Sequence, residues 1–125
     1  IPKNIRYWNV QLNDPLFNAM EYYYSQSSLN GHQATLDSDG KFRAVVSVDD
    51  PGVPNWLDTV DHLEGTFLGR WFGFGLESLP TPTLTKVLFK DVRKYLPADT
   101  PVVDAAARDK VLRARVRGGQ LRRRW

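Results

Sequence analysis

Gly65-Thr66-Phe67-Leu68-Gly69-Arg70-Trp71-Phe72-Gly73-Phe74-Gly75 is the stretch that decides the fold class. It alternates as a strand does, because successive strand side chains point to opposite sides. Leu68, Phe72 and Phe74 fall on one face with Thr66 and Arg70; Phe67 and Trp71 share the other with Gly69 and Gly73. A strand that is apolar on both faces belongs inside a sandwich, or between a sheet and other elements. Its glycines mark bulges or close backbone approach rather than a phosphate-binding loop.

Working outward, Ile5-Arg6-Tyr7-Trp8-Asn9-Val10-Gln11-Leu12 is rich in β-branched and aromatic residues and reads as a strand, ended by the turn chemistry of Asn13-Asp14-Pro15. Residues 21–29, with Tyr22-Tyr23-Tyr24, read as the next strand. Asn30-Gly31 is the clearest hairpin signal and leads into a short strand over residues 32–36. Asp39-Gly40 turns the chain again into residues 42–48, where Val45, Val46 and Val48 favour a strand. Three strands and two tight turns make an antiparallel meander. A loop set by Pro51, Gly52 and Pro54 runs from Asp49 to Asp61. Pro80 and Pro82 separate the alternating stretch from a further strand over residues 84–92. Asp104 is the N-cap of a helix whose Ala107, Val111 and Ala114 form one stripe, with Gly118-Gly119 as its stop. The expected architecture is mainly β: an antiparallel, jelly-roll-like β-sandwich over residues 1–103, followed by a basic C-terminal α-helix and tail over residues 104–125.

Hydrophobic residues make up 42% and charged residues 25% of the 125, a globular composition that excludes a disordered chain. The absence of cysteine excludes disulfides, thiolate zinc sites and a cysteine nucleophile. No apolar run is long enough to suggest a membrane span. The net charge of +3 hides an asymmetry. Residues 104–125 carry eight Lys or Arg against two Asp, whereas the rest carries nine basic and twelve acidic residues. The chain opens on Ile1-Pro2-Lys3 without Met, and is read as the C-terminal portion of a longer protein whose N-terminal region is missing. The expected protein is soluble, with the cytoplasm and export both open.

The densest stretch is Asp50-Pro51-Gly52-Val53-Pro54-Asn55-Trp56-Leu57-Asp58-Thr59-Val60-Asp61-His62-Leu63-Glu64-Gly65, closed by Arg70. With the opening Tyr7-Trp8-Asn9-Val10-Gln11-Leu12 and the Asp39-Gly40 turn, it resembles the bacterial domain-of-unknown-function family numbered 1214. Asp-Pro-Gly, two residues, then Asn-Trp-Leu-Asp-Thr matches from Asp50 to Thr59; Asp61 replaces the family's usual Gly. The resemblance covers most of the chain and extends to its Arg-rich helical end. It implies a jelly-roll-like sandwich and an N-terminal partner region related to family 1254. No reaction is implied.

Asp58 and His62 are the candidate acid–base pair of a hydrolase or lyase, since a neighbouring carboxylate raises a histidine into its working range. The competing reading has Asp58 and Asn55 bonding loop amides while His62 stands exposed. Arg70, in an apolar strand, needs a carboxylate partner, with Asp58 the first choice, or an anionic ligand. Trp56 and Trp71 stack on a flat ligand or belong to the core. Asn55, Trp56, Arg70 and Trp71 thus form the candidate small-molecule or carbohydrate site. With only His32 and His62 present, no metal is expected, and no cofactor. The arginines of the tail invite phosphate contact, but the acidic body and the lack of any recognition motif argue against nucleic acid. They suit a solvated face or a subunit contact instead, and a homo-oligomer is expected. A purely structural, oligomer-forming module is the third alternative.

Overall fold

The computed structural model describes residues 1, 5–73 and 81–122. Phe74, Gly75, Pro80, Arg123, Arg124 and Trp125, which carried part of the expectations above, lie outside the described residues. Five strands form: β1 (Tyr7–Asn13), β2 (Ser28–Asn30), β3 (Val45–Ser47), β4 (Trp56–Asp58) and β5 (Thr66–Phe72). A 3₁₀ helix (Phe89–Tyr95) and an α-helix, α1 (Ala105–Gln120), follow. One sheet has the order β2-β1-β5, antiparallel throughout; the other is the parallel pair β3-β4.

The jelly-roll-like sandwich and the mainly β class are therefore corrected: the described chain has two small sheets of three and two strands, and strand makes up 21%. The reason lies in side chains that capture backbone amides before a ladder can. Glu21 accepts hydrogen bonds from the amides of Tyr23, Tyr24 and Ser25 at 2.6, 2.9 and 2.9 Å. That closes a bend where a tyrosine strand was expected, and only Ser28–Asn30 is extended. The Asn30 carboxamide likewise accepts from His32 and Gln33, so residues 31–33 form a turn, residues 34–36 follow irregularly and no hairpin forms. Val45–Ser47 pairs parallel with Trp56–Asp58, which replaces the antiparallel meander and puts a strand inside the expected loop. Residues 84–92 run irregularly into the 3₁₀ helix instead of forming a strand.

β1 and β5 appear where the alternation places them, opposed in the register Trp8↔Trp71, Val10↔Gly69 and Leu12↔Phe67. Directly opposed residues share a face. Trp8, Val10, Leu12 and Leu29 thus form the inner face, with Phe67 and Trp71 packed against them. Leu57 of β4 and Met20 close this core, and Leu57 has no exposure at all. The outer face carries Tyr7, Asn9, Gln11, Leu68, Arg70 and Phe72. Only one of β5's two apolar faces is therefore covered by the core.

α1 starts where expected, with the Asp104 carboxylate accepting the Ala107 amide at 2.8 Å. It docks on the other side from the one its apolar residues suggest. Ala107, Val111 and Ala114 are exposed, whereas Arg108 is buried and Leu112, Arg115, Val116 and Gly119 are half-buried. Those five positions follow helical spacing. Gly118-Gly119 does not stop the helix, which runs to Gln120. At Gly119 a Cβ would collide with the Tyr23 ring, so glycine lets the helix lie against the tyrosine bend. Replacing Leu57 with alanine leaves a cavity at the meeting of the two sheets. The expected loss is about 3 kcal/mol of unfolding free energy in urea denaturation, and a loss under about 1 kcal/mol would place the core elsewhere.

Candidate functional site: an arginine-clamped loop

The loop from Asp50 to Trp56 is built from its own backbone outward. Asp50 accepts the Gly52 amide at 2.8 Å, and Gly52 takes a φ of 67°, which glycine adopts without strain. Elements distant in sequence then hold the loop. Arg108, 5% exposed, donates from Nε and Nη2 to the two Asp50 carboxylate oxygens at 2.8 and 3.1 Å. It also donates to the Val53 carbonyl at 2.6 Å and the Gln26 side-chain oxygen at 3.3 Å. Its guanidinium lies 5.1 Å from the centre of the Trp56 ring. Gln26, itself buried, donates to the carbonyls of Pro54 and Trp56 at 3.0 and 2.7 Å. From the 3₁₀ helix, Arg93 donates to the carbonyls of Gly52, Thr100 and Pro101. A buried arginine is tolerable because carboxylate, carbonyl and amide acceptors surround it and the indole faces its plane.

Each candidate residue now has a place. Asn55 is buried: its amide nitrogen donates to the carbonyls of Thr35 and Arg43, and its oxygen accepts the Thr35 amide. Trp56 is buried and donates to the Ser47 carbonyl at 3.0 Å. Asp58 accepts the Val60 amide at 2.8 Å, while the ring nitrogen Nδ1 of exposed His62 is 2.8 Å from the Val60 carbonyl. The acid–base candidates therefore meet the backbone of one residue from two sides. Between them Val60 and Asp61 take φ of 50° and 61°, and the His62 amide closes the turn on Thr59. Asp61, where the family resemblance has glycine, sits in left-handed backbone that Asp tolerates and glycine favours. Arg70 is exposed on the outer face and donates to Gln11 at 2.6 Å, not to Asp58 as expected. Trp71, its neighbour, faces the core, so the two cannot line one pocket. Among the described residues no group of three or more His, Asp or Glu is placed to hold a metal ion.

Arg108, Gln26 and Arg93 were not candidates from sequence. The opposed charges of body and tail hinted at a clamp between them, without singling out an arginine. The enclosed space beside the loop, between Asn55, Arg43, Thr35 and Pro101, is about 10 Å³, room for about one water.

No protein-family model matches the chain, and no curated protein does. Among solved structures, the chain is similar to an uncharacterised protein from Burkholderia cenocepacia, at 37% identity and a TM-score of 0.56. The match covers 58% of this chain and 20% of that one, so the chain spans a fifth of the length of its solved relative.

Arg108→Ala strips the loop of its clamp and leaves Asp50 and the Val53 carbonyl without their main partner. Since Asp50 is partly exposed, the cost falls at the lower end for a buried pair, about 3 kcal/mol. Urea denaturation should show that loss, together with faster hydrogen exchange at Gly52 and Val103; an unchanged midpoint would mean the loop holds itself. At the far end of β1 the pH response has a definite sign. Asp14 is held below its ordinary value, first by the Asn18 side chain and then by the Asn18 amide. Its stabilisation is complete above the unfolded value of about 3.9 and is lost as pH falls through the lower folded value. Protection of the Leu16 and Asn18 amides against exchange should therefore fall below about pH 4 ahead of protection in β1.

Proposed function

We propose that this chain is a structural docking module, which buries the outer face of its three-stranded sheet against further polypeptide. One observation carries the reading. Among the described residues eighteen large apolar side chains are exposed, against nine buried in the core. Two of the exposed ones, Tyr7 and Phe72, are opposed across β1 and β5, and Leu68 lies on the same face. Among the described residues β5 is also an edge strand, seven residues long, with no proline and Arg70 as its one charge. Edges of that kind are normally paired or covered. That the match occupies a fifth of a longer solved chain supports a covering segment from the same polypeptide, such as the expected N-terminal region. The clamped loop then serves as the rigid base of the module, and Asp58 and His62 as turn fixtures.

A second reading rests on the same face. Aromatic Tyr7 and Phe72 beside Arg70, Gln11 and Asn9 offer stacking and hydrogen bonds to a flat polar ligand such as a carbohydrate. An acid–base enzyme using Asp58 and His62 would need a substrate at the Thr59–His62 turn, and no observation favours that over docking.

The test is a pair of surface substitutions, Tyr7→Ser with Phe72→Ser. The docking reading expects unfolding free energy within about 0.5 kcal/mol of the parent and a marked drop in binding of a hydrophobic dye. Stability lost on the scale of Leu57→Ala would show that the face is already part of the core. Loss of a glycan-array signal in the same variant would move the assignment to carbohydrate binding.

A further inference from the structure

Two loops at one end of the sheet hold apolar side chains out in solvent on constrained backbone. Leu16 is 83% and Phe17 61% exposed, and Phe17 takes a φ of 68°, unusual for an aromatic residue. The turn is tied down from inside. Asp14 accepts the amides of Leu16 and Asn18 at 2.9 and 2.8 Å, and buried Asn13 donates to the Phe17 carbonyl at 3.0 Å. The second loop carries Leu63, 91% exposed, just after the left-handed Val60-Asp61 turn. Pairing of Asn13 with Thr66 seats the two loops side by side. Exposed Asp61 and Glu64 make the rim acidic. Left-handed backbone at non-glycine residues persists only where the surroundings impose it, and it concentrates at functional surfaces.

A surface of opposite character lies on α1. Tyr24, Leu112, Arg113, Val116, Arg117 and Gln120 line an open groove of about 550 Å³. Apolar Leu112 and Val116 line it beside two guanidinium groups, of which Arg113 is paired with Asp109 at 2.7 Å. We propose that the Leu16-Phe17-Leu63 tip of one copy seats in the α1 groove of a second copy. The apolar side chains meet Leu112, Val116 and Tyr24, while Asp61 and Glu64 face Arg117. Tip and groove are different patches, so each copy offers one of each, and the contact is heterologous. It rests on the docking reading above but uses neither face of the sheet.

The experiment is sedimentation velocity on the parent chain and two variants, each first shown to be folded by circular dichroism. The tip variant is Leu16→Ser with Phe17→Ser; the groove variant is Tyr24→Ala with Arg117→Glu. The parent should associate at about 0.1 M salt and more weakly at about 1 M. Each variant alone should bind itself about tenfold more weakly or worse. An equimolar mixture should regain a two-chain species, because the intact groove of one variant accepts the intact tip of the other. A monomeric parent, variants that associate like the parent, or a mixture no better than its components would each overturn the contact. A monomeric parent whose Tyr7→Ser, Phe72→Ser form still loses dye binding would leave the docking reading standing and this contact refuted.

Discussion

The Arg108 guanidinium is the point on which this structure depends. It reaches across from α1 to the loop of residues 50–56 and satisfies a carboxylate, a backbone carbonyl and a buried glutamine together. A helix that leaves Ala107, Val111 and Ala114 exposed and only half-buries Leu112 and Val116 has little hydrophobic reason to dock. The buried arginine, with Arg115 bonded to Ser28 and the Tyr22 carbonyl, supplies a polar one. Such an attachment is directional, because guanidinium donors lie in a fixed plane and accept few geometries. It places the helix and the loop in one register, where apolar contact alone would permit sliding.

Polar attachment also explains how so small a core suffices. The buried cluster sits between the inner face of β1, β2 and β5 and the single strand β4. Around it, long segments without regular structure are held by side-chain bonds to backbone: Asn55 joins Thr35 and Arg43, and Arg93 joins Gly52, Thr100 and Pro101. These bonds fix geometry but bury little apolar area, and so the molecule keeps large hydrophobic residues on its surface. In a docking module those residues are the working surface. The same economy leaves only a water-sized space at the clamped loop, since Asp50, Asn55, Gln26 and Arg108 already commit their polar atoms to partners within the chain.

Long strands and a helix cap were legible from residues alone. The composition of residues 7–13 and the alternation in residues 66–72 specified both strands, but which face turns inward was settled only by the pairing that buries Trp8, Val10 and Leu12 together. Asp104 declared the helix start, since a carboxylate before a run of alanines has one favourable use. The short strands were not legible. Glu21 and Asn30 divert amides into bends over distances of two to four residues. A tyrosine or valine run carries no mark of whether a neighbouring side chain will do so.

What the sequence by itself determined is therefore local: two strands, one cap and the turn at Asp39-Gly40. Tertiary structure alone decided the parallel pairing of β3 with β4, the face by which α1 docks, and the partners of Asn55, Trp56 and Arg70, whereas the bond of Asp58 to a loop amide beside an exposed His62 was among the sequence readings. The physical reason is range. Periodicity and capping act over a few residues and are written in the order of the chain. The Arg108–Asp50 bond joins residues 58 apart, and the choice among the seven arginines of residues 104–125 rests on which one the folded body can desolvate and still satisfy.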